Sequence, residues 1–214
     1  MENNIHQIWV GNNRIPTHIK EWMDEVKEQH KDFTYYFWND ENLPELPEHL
    51  KKVYDSYKEP AIKADLLRMY VVHKFGGIYL DADFKPIDGF HTSIMPCKDC
   101  GGFVVYNDSY GMSALANTIF GFSKDNALLK YLLDDVLYEM QWIGPNWWAQ
   151  TVCKYLQVDF NKITIPEFKE KLSEIDIELV RWKDIEDKCF RHEALASWIH
   201  GSIWNNKLKT GDYD

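Results

Sequence analysis

Apolar and polar positions along the chain fall into short runs that alternate between two periods. Ile5-His6-Gln7-Ile8-Trp9-Val10 has the length and composition of a strand, and Gly11-Asn12-Asn13 ends it. Pro16 then opens a stretch of mixed polarity that predicts a helix over 16–30, with proline in its preferred first turn. An aromatic-rich run over 33–38 predicts a second strand, stopped by Asn39-Asp40, and a proline-punctuated helical stretch follows to 57. Pro60 starts the most apolar helical run, over 61–75, which Gly76-Gly77 breaks before the short strand Ile78-Tyr79-Leu80. Strands are predicted over 101–106 and 116–122. Helices are predicted over 125–140, with Asp125 as N-cap, and over 145–156 from Pro145. The tail reads as short strands and turns up to His200. Strands alternating with helices predict an α/β/α sandwich around a mostly parallel sheet, whose ligands sit at the carboxyl ends of strands, where Trp9 and Asp81 fall.

Asp81-Ala82-Asp83 directly follows the glycine break and the apolar strand. Strand alternation would send both carboxylates to one side of the strand end. Two hard oxygen ligands there suit Mn²⁺ or Mg²⁺ holding a diphosphate. Such an ion would neutralise charge on a departing diphosphate.

Length and composition narrow the partners. The 214 residues suffice for one domain with a full core, and 45% apolar content fits a globular chain. Net charge is −10 with no basic cluster, which argues against nucleic acid and against an anionic membrane surface as partners. An acidic protein that binds a diphosphate needs a bridging cation, so the charge strengthens the metal reading. Nine Trp and 15% aromatic residues give flat faces for the core and for bases and sugars. Neither a signal peptide nor a membrane-spanning run is apparent, so the expectation is a cytoplasmic chain without a stable membrane anchor. Four cysteines do not form a disulfide framework. Cys97-Lys98-Asp99-Cys100 has zinc spacing without a second close pair, and reduced thiols in a turn are the expectation.

Asp65 and Arg68 lie three residues apart on one face of a helix that is apolar almost all round. Buried charges are costly, so either they pair with each other or they face a polar cleft. The cleft is favoured because the same helix leads into the Asp81 strand. Trp9 could fill the core or stack on a nucleobase. His200 could add a nitrogen to a metal held by carboxylates, or be an exposed tail histidine. Trp204 offers an indole N–H to a phosphate or glycosidic oxygen. Asn146 in Gly144-Pro145-Asn146-Trp147-Trp148 could meet a sugar or merely start a helix.

Together, Ile5-His6-Gln7-Ile8-Trp9-Val10-Gly11, Phe37-Trp38-Asn39-Asp40, and Ala64-Asp65-Leu66-Leu67-Arg68 through Gly76-Gly77-Ile78-Tyr79-Leu80-Asp81-Ala82-Asp83 resemble glycosyltransferase family 32. That family includes fungal mannosyltransferases and bacterial capsule enzymes, with the glucosylating bacterial toxins as distant relatives. The resemblance implies a GT-A fold, a Mn²⁺-dependent site for a UDP-sugar or GDP-sugar, and retention of anomeric configuration. It implies one domain over 1–214, with a donor half at 1–90 and an acceptor-side half at 91–214. By position, Ile8 and Trp9 would hold the base, and Asp65 and Arg68 the donor sugar and phosphate. Tyr79 would line the nucleotide pocket and the Ala82 backbone would touch the ribose. Asp81 and Asp83 would bind the metal, His200 or Ser202 would complete its sphere, and Trp204 would contact the diphosphate. Ala64 departs from the family, where Ser is frequent. The acceptor would be a glycan, a lipid-linked saccharide or a protein. Rival readings are a phosphohydrolase of the haloacid dehalogenase type, a silent nucleotide-sugar binder and a nucleotide-sugar hydrolase. Against the first, Phe84 follows the motif and Asp134-Asp135 lies in a helical pattern.

Overall fold

The computed structural model describes residues 1–87, 99–107, 115–136, 143–185 and 190–192. In chain order the described elements are β1 (Asn4–Ile8), α1 (Thr17–Gln29), β2 (Thr34–Trp38), α2 (Glu48–Ser56), α3 (Pro60–Phe75), β3 (Gly77–Leu80), β4 (Phe84–Pro86), β5 (Gly102–Tyr106) and β6 (Leu115–Phe122). They continue with α4 (Ala127–Asp135), α5 (Pro145–Tyr155), α6 (Ile165–Ser173), β7 (Ile177–Arg181), α7 (Trp182–Ile185) and β8 (Phe190–His192). No helix among the described residues is long and apolar enough to cross a membrane.

Six strands form one sheet in the order β2-β1-β3-β6-β5-β7. β1 pairs in parallel with β2 and β3, and β5 pairs in parallel with β7. β6 is antiparallel to both its neighbours, β3 and β5, so it alone runs against the other strands. The predicted mostly parallel α/β sheet is therefore the architecture found. β4 and β8 form a separate antiparallel pair.

Strand alternation sorts the core into two layers. Ile78 and Leu80, Phe103 and Val105, and Ile119 pack with Val26 of α1 and with Trp182 and Ile185 of α7. Tyr79, Val104, Phe120 and Phe122 face the other way, against apolar positions of α2, α3, α4, α5 and α6. Helices thus cover both faces, as a sheet buried on both sides requires. Burying these side chains at roughly 25 cal/mol per Å² of apolar surface is the main force holding the layers together.

Two predicted elements need correction. The helix expected from Asp125 starts one residue later, because Asp125 has φ of 59° and Asn126 is the cap, its side chain accepting from Leu128 and Leu129 N–H. That helix ends at Asp135, and the remainder of the predicted span lies outside the described residues. The tail is not only strands and turns, since α6 occupies Ile165–Ser173. Its signal was present: Thr164 accepts from Glu167 N–H while the Glu167 side chain accepts from Thr164 N–H, a reciprocal capping box, with Pro166 in the first turn.

Candidate active site

α3 delivers the first two residues. Pro60 sets its first turn, and Gly76 closes it at φ 67°, with its N–H on Val72 O at 2.8 Å. Gly77 follows at φ 107°, where a Cβ would run into the main chain of Asn4, so this turn into β3 requires glycine. Asp65 and Arg68 are 9% and 6% exposed, in a helix whose other buried positions are Ile62, Leu66, Leu67 and Met69 to Val72. Neither charge could stay there unpartnered.

The partners come from β3 and β6. Arg68 Nη2 lies 3.1 Å from Asp65 Oδ1 and 3.3 Å from Asp81 Oδ1, so one guanidinium nitrogen serves both acids. Arg68 Nη1 donates to Asn117 O at 2.7 Å, and Nε donates to Ala64 O at 3.4 Å. The Asn117 amide donates to Asp65 Oδ1 at 2.9 Å. The Tyr79 hydroxyl donates to Asp81 Oδ1, and the Tyr79 ring lies under the guanidinium, 4.8 Å from Arg68 Cζ. The sequence favoured a polar cleft over a mutual pair for Asp65 and Arg68. They pair, and the same pair reaches Asp81 at the strand end.

Electrostatics follow from burial and from this crowding. Burial pushes the Asp65 carboxyl up to about 6; Arg68 and Asn117 oppose that rise and Asp81 adds to it. Burial works against the Arg68 charge, but Asp81, Tyr79, Asp65 and Asp83 together outweigh it and hold the guanidinium protonated. Burial drives the Tyr79 phenol far above its ordinary value, Arg68 opposing and Asp81 reinforcing, so Tyr79 stays a donor.

The Asp81-Ala82-Asp83 expectation changes in geometry. β3 ends at Leu80, and residues 81–83 form a tight turn closed by Phe84 N–H on Asp81 O at 3.3 Å. Strand alternation therefore does not set the two carboxylates; the turn does. The Asp81 main chain is fixed from two sides, its N–H on Thr118 O at 2.9 Å and its carbonyl accepting from Gln7 Nε2 at 3.1 Å. Asp83 is half-buried and acts electrostatically on Arg68. Among the described residues no three His, Cys, Asp or Glu side chains converge into a closed metal cage. Two carboxylates on one turn nevertheless fit Mg²⁺ or Mn²⁺, which take few protein ligands and keep positions for water and substrate phosphate.

β6 contributes through an irregularity that the sequence reading missed. Val104 of β5 lies opposite Phe120, but Val105 lies opposite Ala116. Asn117, Thr118 and Ile119 thus have no partner residues on β5; Asn117 offers its carbonyl to Arg68, while Thr118 O takes Asp81 N–H at the end of the β3–β6 ladder. A lone Asn in an apolar run was the available signal.

Of the other predicted residues, Trp9 packs in the same small cluster as Ala82 of the motif. Trp9 follows β1 and is half-buried beside Ala82, Ile15, Ile19, Trp22 and Phe37, its indole N–H on Asn13 O at 2.8 Å. Ile8 is buried in the main core and Ala82 is 6% exposed. Asn146 is exposed in the first turn of α5, where its Oδ1 takes Gln150 Nε2 at 3.4 Å. His200, Ser202, Trp204 and Cys97 lie outside the described residues, and the half-buried Cys100 thiol donates to Gly102 O.

The chain is similar to known proteins. Residues 16–98 match the family model described as "Glycosyltransferase sugar-binding region containing DXD motif". Inositol phosphoceramide mannosyltransferase 3 of Schizosaccharomyces pombe is 32% identical over 133 residues, covering 58% of this chain and 34% of that protein. Mannosyl phosphorylinositol ceramide synthase SUR1 of Saccharomyces cerevisiae is 27% identical over 146 residues, covering 66% of this chain and 36% of that protein. The chain thus spans about a third of the length of these two relatives. A solved structure named PaToxG Glycosyltransferase superposes with a TM-score of 0.50 at 16% identity, covering 81% of this chain and 84% of that one, which is a likeness of fold. Residues 16–98 are thus similar to a glycosyltransferase sugar-binding region, and Asp81-Ala82-Asp83 is the Asp-X-Asp sequence within the matched span.

Proposed function

We propose that this chain moves a hexose from a nucleoside-diphosphate sugar, a UDP-sugar or a GDP-sugar, to a glycan, a lipid-linked saccharide or a protein. One observation carries the reading: Asp65, Arg68, Tyr79 and Asp81 meet at the carboxyl end of β3, beside the turn that bears Asp83. Open α/β sheets bind ligands at that edge. Mannose is the first sugar to test, because both relatives above are named for mannosyl chemistry.

In this reading Asp81 and Asp83 hold Mn²⁺ or Mg²⁺, with His200 or Ser202 completing the sphere. The bound ion supplies Lewis-acid stabilisation to the departing diphosphate. Arg68, kept cationic by its acidic neighbours, adds positive charge next to that phosphate. Asp65 accepts a hydroxyl of the donor sugar through Oδ2, since its contacts to described residues fall on Oδ1. Tyr79 holds Asp81 from below, so it acts through that carboxylate. Ile8 and Trp9 support the base, the Ala82 main chain meets the ribose, Trp204 donates to the diphosphate and Asn146 faces the sugar. Retention follows from same-face attack: the acceptor oxygen bonds to the anomeric carbon as the carbon–phosphate oxygen bond breaks. The leaving phosphate oxygen takes the acceptor's proton.

The test incubates the pure protein with Mn²⁺ and a panel of nucleoside-diphosphate sugars and measures released nucleoside diphosphate. Release from one donor, abolished by EDTA and by Asp83→Ala, is the expected result. Absence of both release and Mn²⁺-dependent binding, for every donor in the panel, would overturn the reading.

A further inference from the structure

We propose that Asn117 is a positioning residue that sets Asp65 for the sugar half of the donor, and that the bulge of β6 exists to place it. The inference rests on the transferase reading above. Asp65 and Asp81 both draw on Arg68 Nη2, at 3.1 and 3.3 Å, so one cation is shared between two like charges. With Arg68 as its sole tether, the Asp65 carboxylate would be free to swing toward or away from Asp81. The Asn117 amide removes that freedom. It donates to the same Oδ1 from 2.9 Å, and two donors on one oxygen fix where Oδ2 must lie.

The choice of an amide is also chemical. A cation at 117 would neutralise Asp65, and an acid would add a third negative charge around one guanidinium. Asn117 adds a donor and no charge, and it is 3% exposed, so its bond to Asp65 is shielded from water.

The backbone explains how the side chain gets there. A regular β5–β6 ladder would give Asn117, Thr118 and Ile119 partner residues on β5, yet all three are skipped. The skip leaves Asn117 O to accept from Arg68 Nη1, while Thr118 O, facing β3, accepts from Asp81 N–H and carries the β3–β6 ladder one step past Leu80. At the skip, Asn117 thus holds two groups of the site, Arg68 by its carbonyl and Asp65 by its side chain. Bulges elsewhere in proteins re-aim side chains at active sites in this way.

The test compares wild type with Asn117→Leu, which keeps the main-chain carbonyl on Arg68 and removes only the amide. For the donor found active, kcat/KM should fall ~10- to 100-fold, the size of a lost hydrogen bond to a charged group. Affinity for the matching nucleoside diphosphate, which lacks the sugar, should change by less than about twofold. In an Asp65→Ala background the same Asn117 change should add less than about twofold to the loss of nucleotide-sugar binding, because its effect runs through Asp65. Asn117→Ser, too short to reach Asp65, serves with the same readouts if the leucine variant does not fold. Equal loss for nucleoside diphosphate and nucleotide sugar, a full loss in the Asp65→Ala background, or no loss at all would overturn the proposal while leaving the transferase reading intact. A wild-type protein that neither turns over nor binds any donor would bring down both.

Discussion

β3 has a buried polar cluster at each of its ends, and the two are built on opposite principles. At the start of the strand, His6 is fully buried between two partners: its Nδ1 accepts from Trp38 Nε1 at 3.2 Å, so its Nε2–H donates to Gly76 O at 2.9 Å. Tyr36 and Trp38 stack on it within 14° of coplanar, and burial lowers its pKa to about 4. Every polar atom of that ring is satisfied, and the ring is neutral. At the far end, Arg68 faces Asp65 and Asp81 together, and the cluster carries net negative charge at a half-buried rim. A satisfied neutral cluster specifies packing, whereas a charged cluster open on one side has capacity for a ligand.

The largest effect that would break this contrast comes from Arg68. Replacing it with Met keeps the bulk but leaves buried Asp65 and half-buried Asp81 without their cation. The expected cost is about 3–5 kcal/mol, measured by urea unfolding. Adding Asp65→Asn to the same chain should recover part of the loss, because one uncompensated charge disappears. A cost below about 1 kcal/mol would mean that water already screens the cluster as it screens exposed pairs.

The two clusters were unequally legible in the sequence. Asp65, Arg68 and Asp81 announce themselves, because charges in an apolar helix and after an apolar strand have no cheap structural explanation. Their geometry was less accessible. Alternation suggested that Asp81 and Asp83 leave a strand together, but the chain turns after Asp81, whose carbonyl takes Phe84 N–H and the distant Gln7 side chain. Asn117 was hidden for the same reason: a register skip between β5 and β6 has no local signature. The helix α6 was readable in principle from Thr164 and Glu167, whose capping box is local chemistry. His6 could not be assigned from sequence, since only the fold brings Trp38 and Gly76 to its two nitrogens.

Acid should separate the clusters next. His6 titrates at about 4 in the fold and at 6.5 when unfolded, so the unfolded chain takes up its proton first as pH falls. The stability tied to a neutral His6 is whole above pH 6.5, declines below it and is gone by pH 4, a loss of about 3 kcal/mol. Denaturant unfolding of wild type and His6→Gln at pH 7.5 and pH 4.5 isolates this share from that of the carboxylates. The variant should start less stable and lose less between the two pH values. Parallel losses in both proteins would show that His6 is protonated without penalty, and the neutral cluster would then resemble the charged one.

The smallest effect is also the sharpest discriminator. Trp38→Phe keeps an aromatic ring over His6 and Phe75, which now lie 6.2 and 5.4 Å from the indole, but deletes the N–H that fixes Nδ1 as an acceptor. One net hydrogen bond is lost beside a buried acceptor, so about 1 kcal/mol of stability should go. The carboxyl end of β3 has no share in that bond. Affinity for a nucleoside diphosphate in the presence of Mn²⁺ should therefore stay at the wild-type value in Trp38→Phe, while Tyr79→Phe, which frees Asp81 from its phenol, should weaken it. Loss of nucleotide binding in Trp38→Phe would mean that β1 and β2 transmit strain along the strand from one cluster to the other. The two ends of β3 would then be one cooperative unit, with the packing of the neutral end setting the geometry of the charged one.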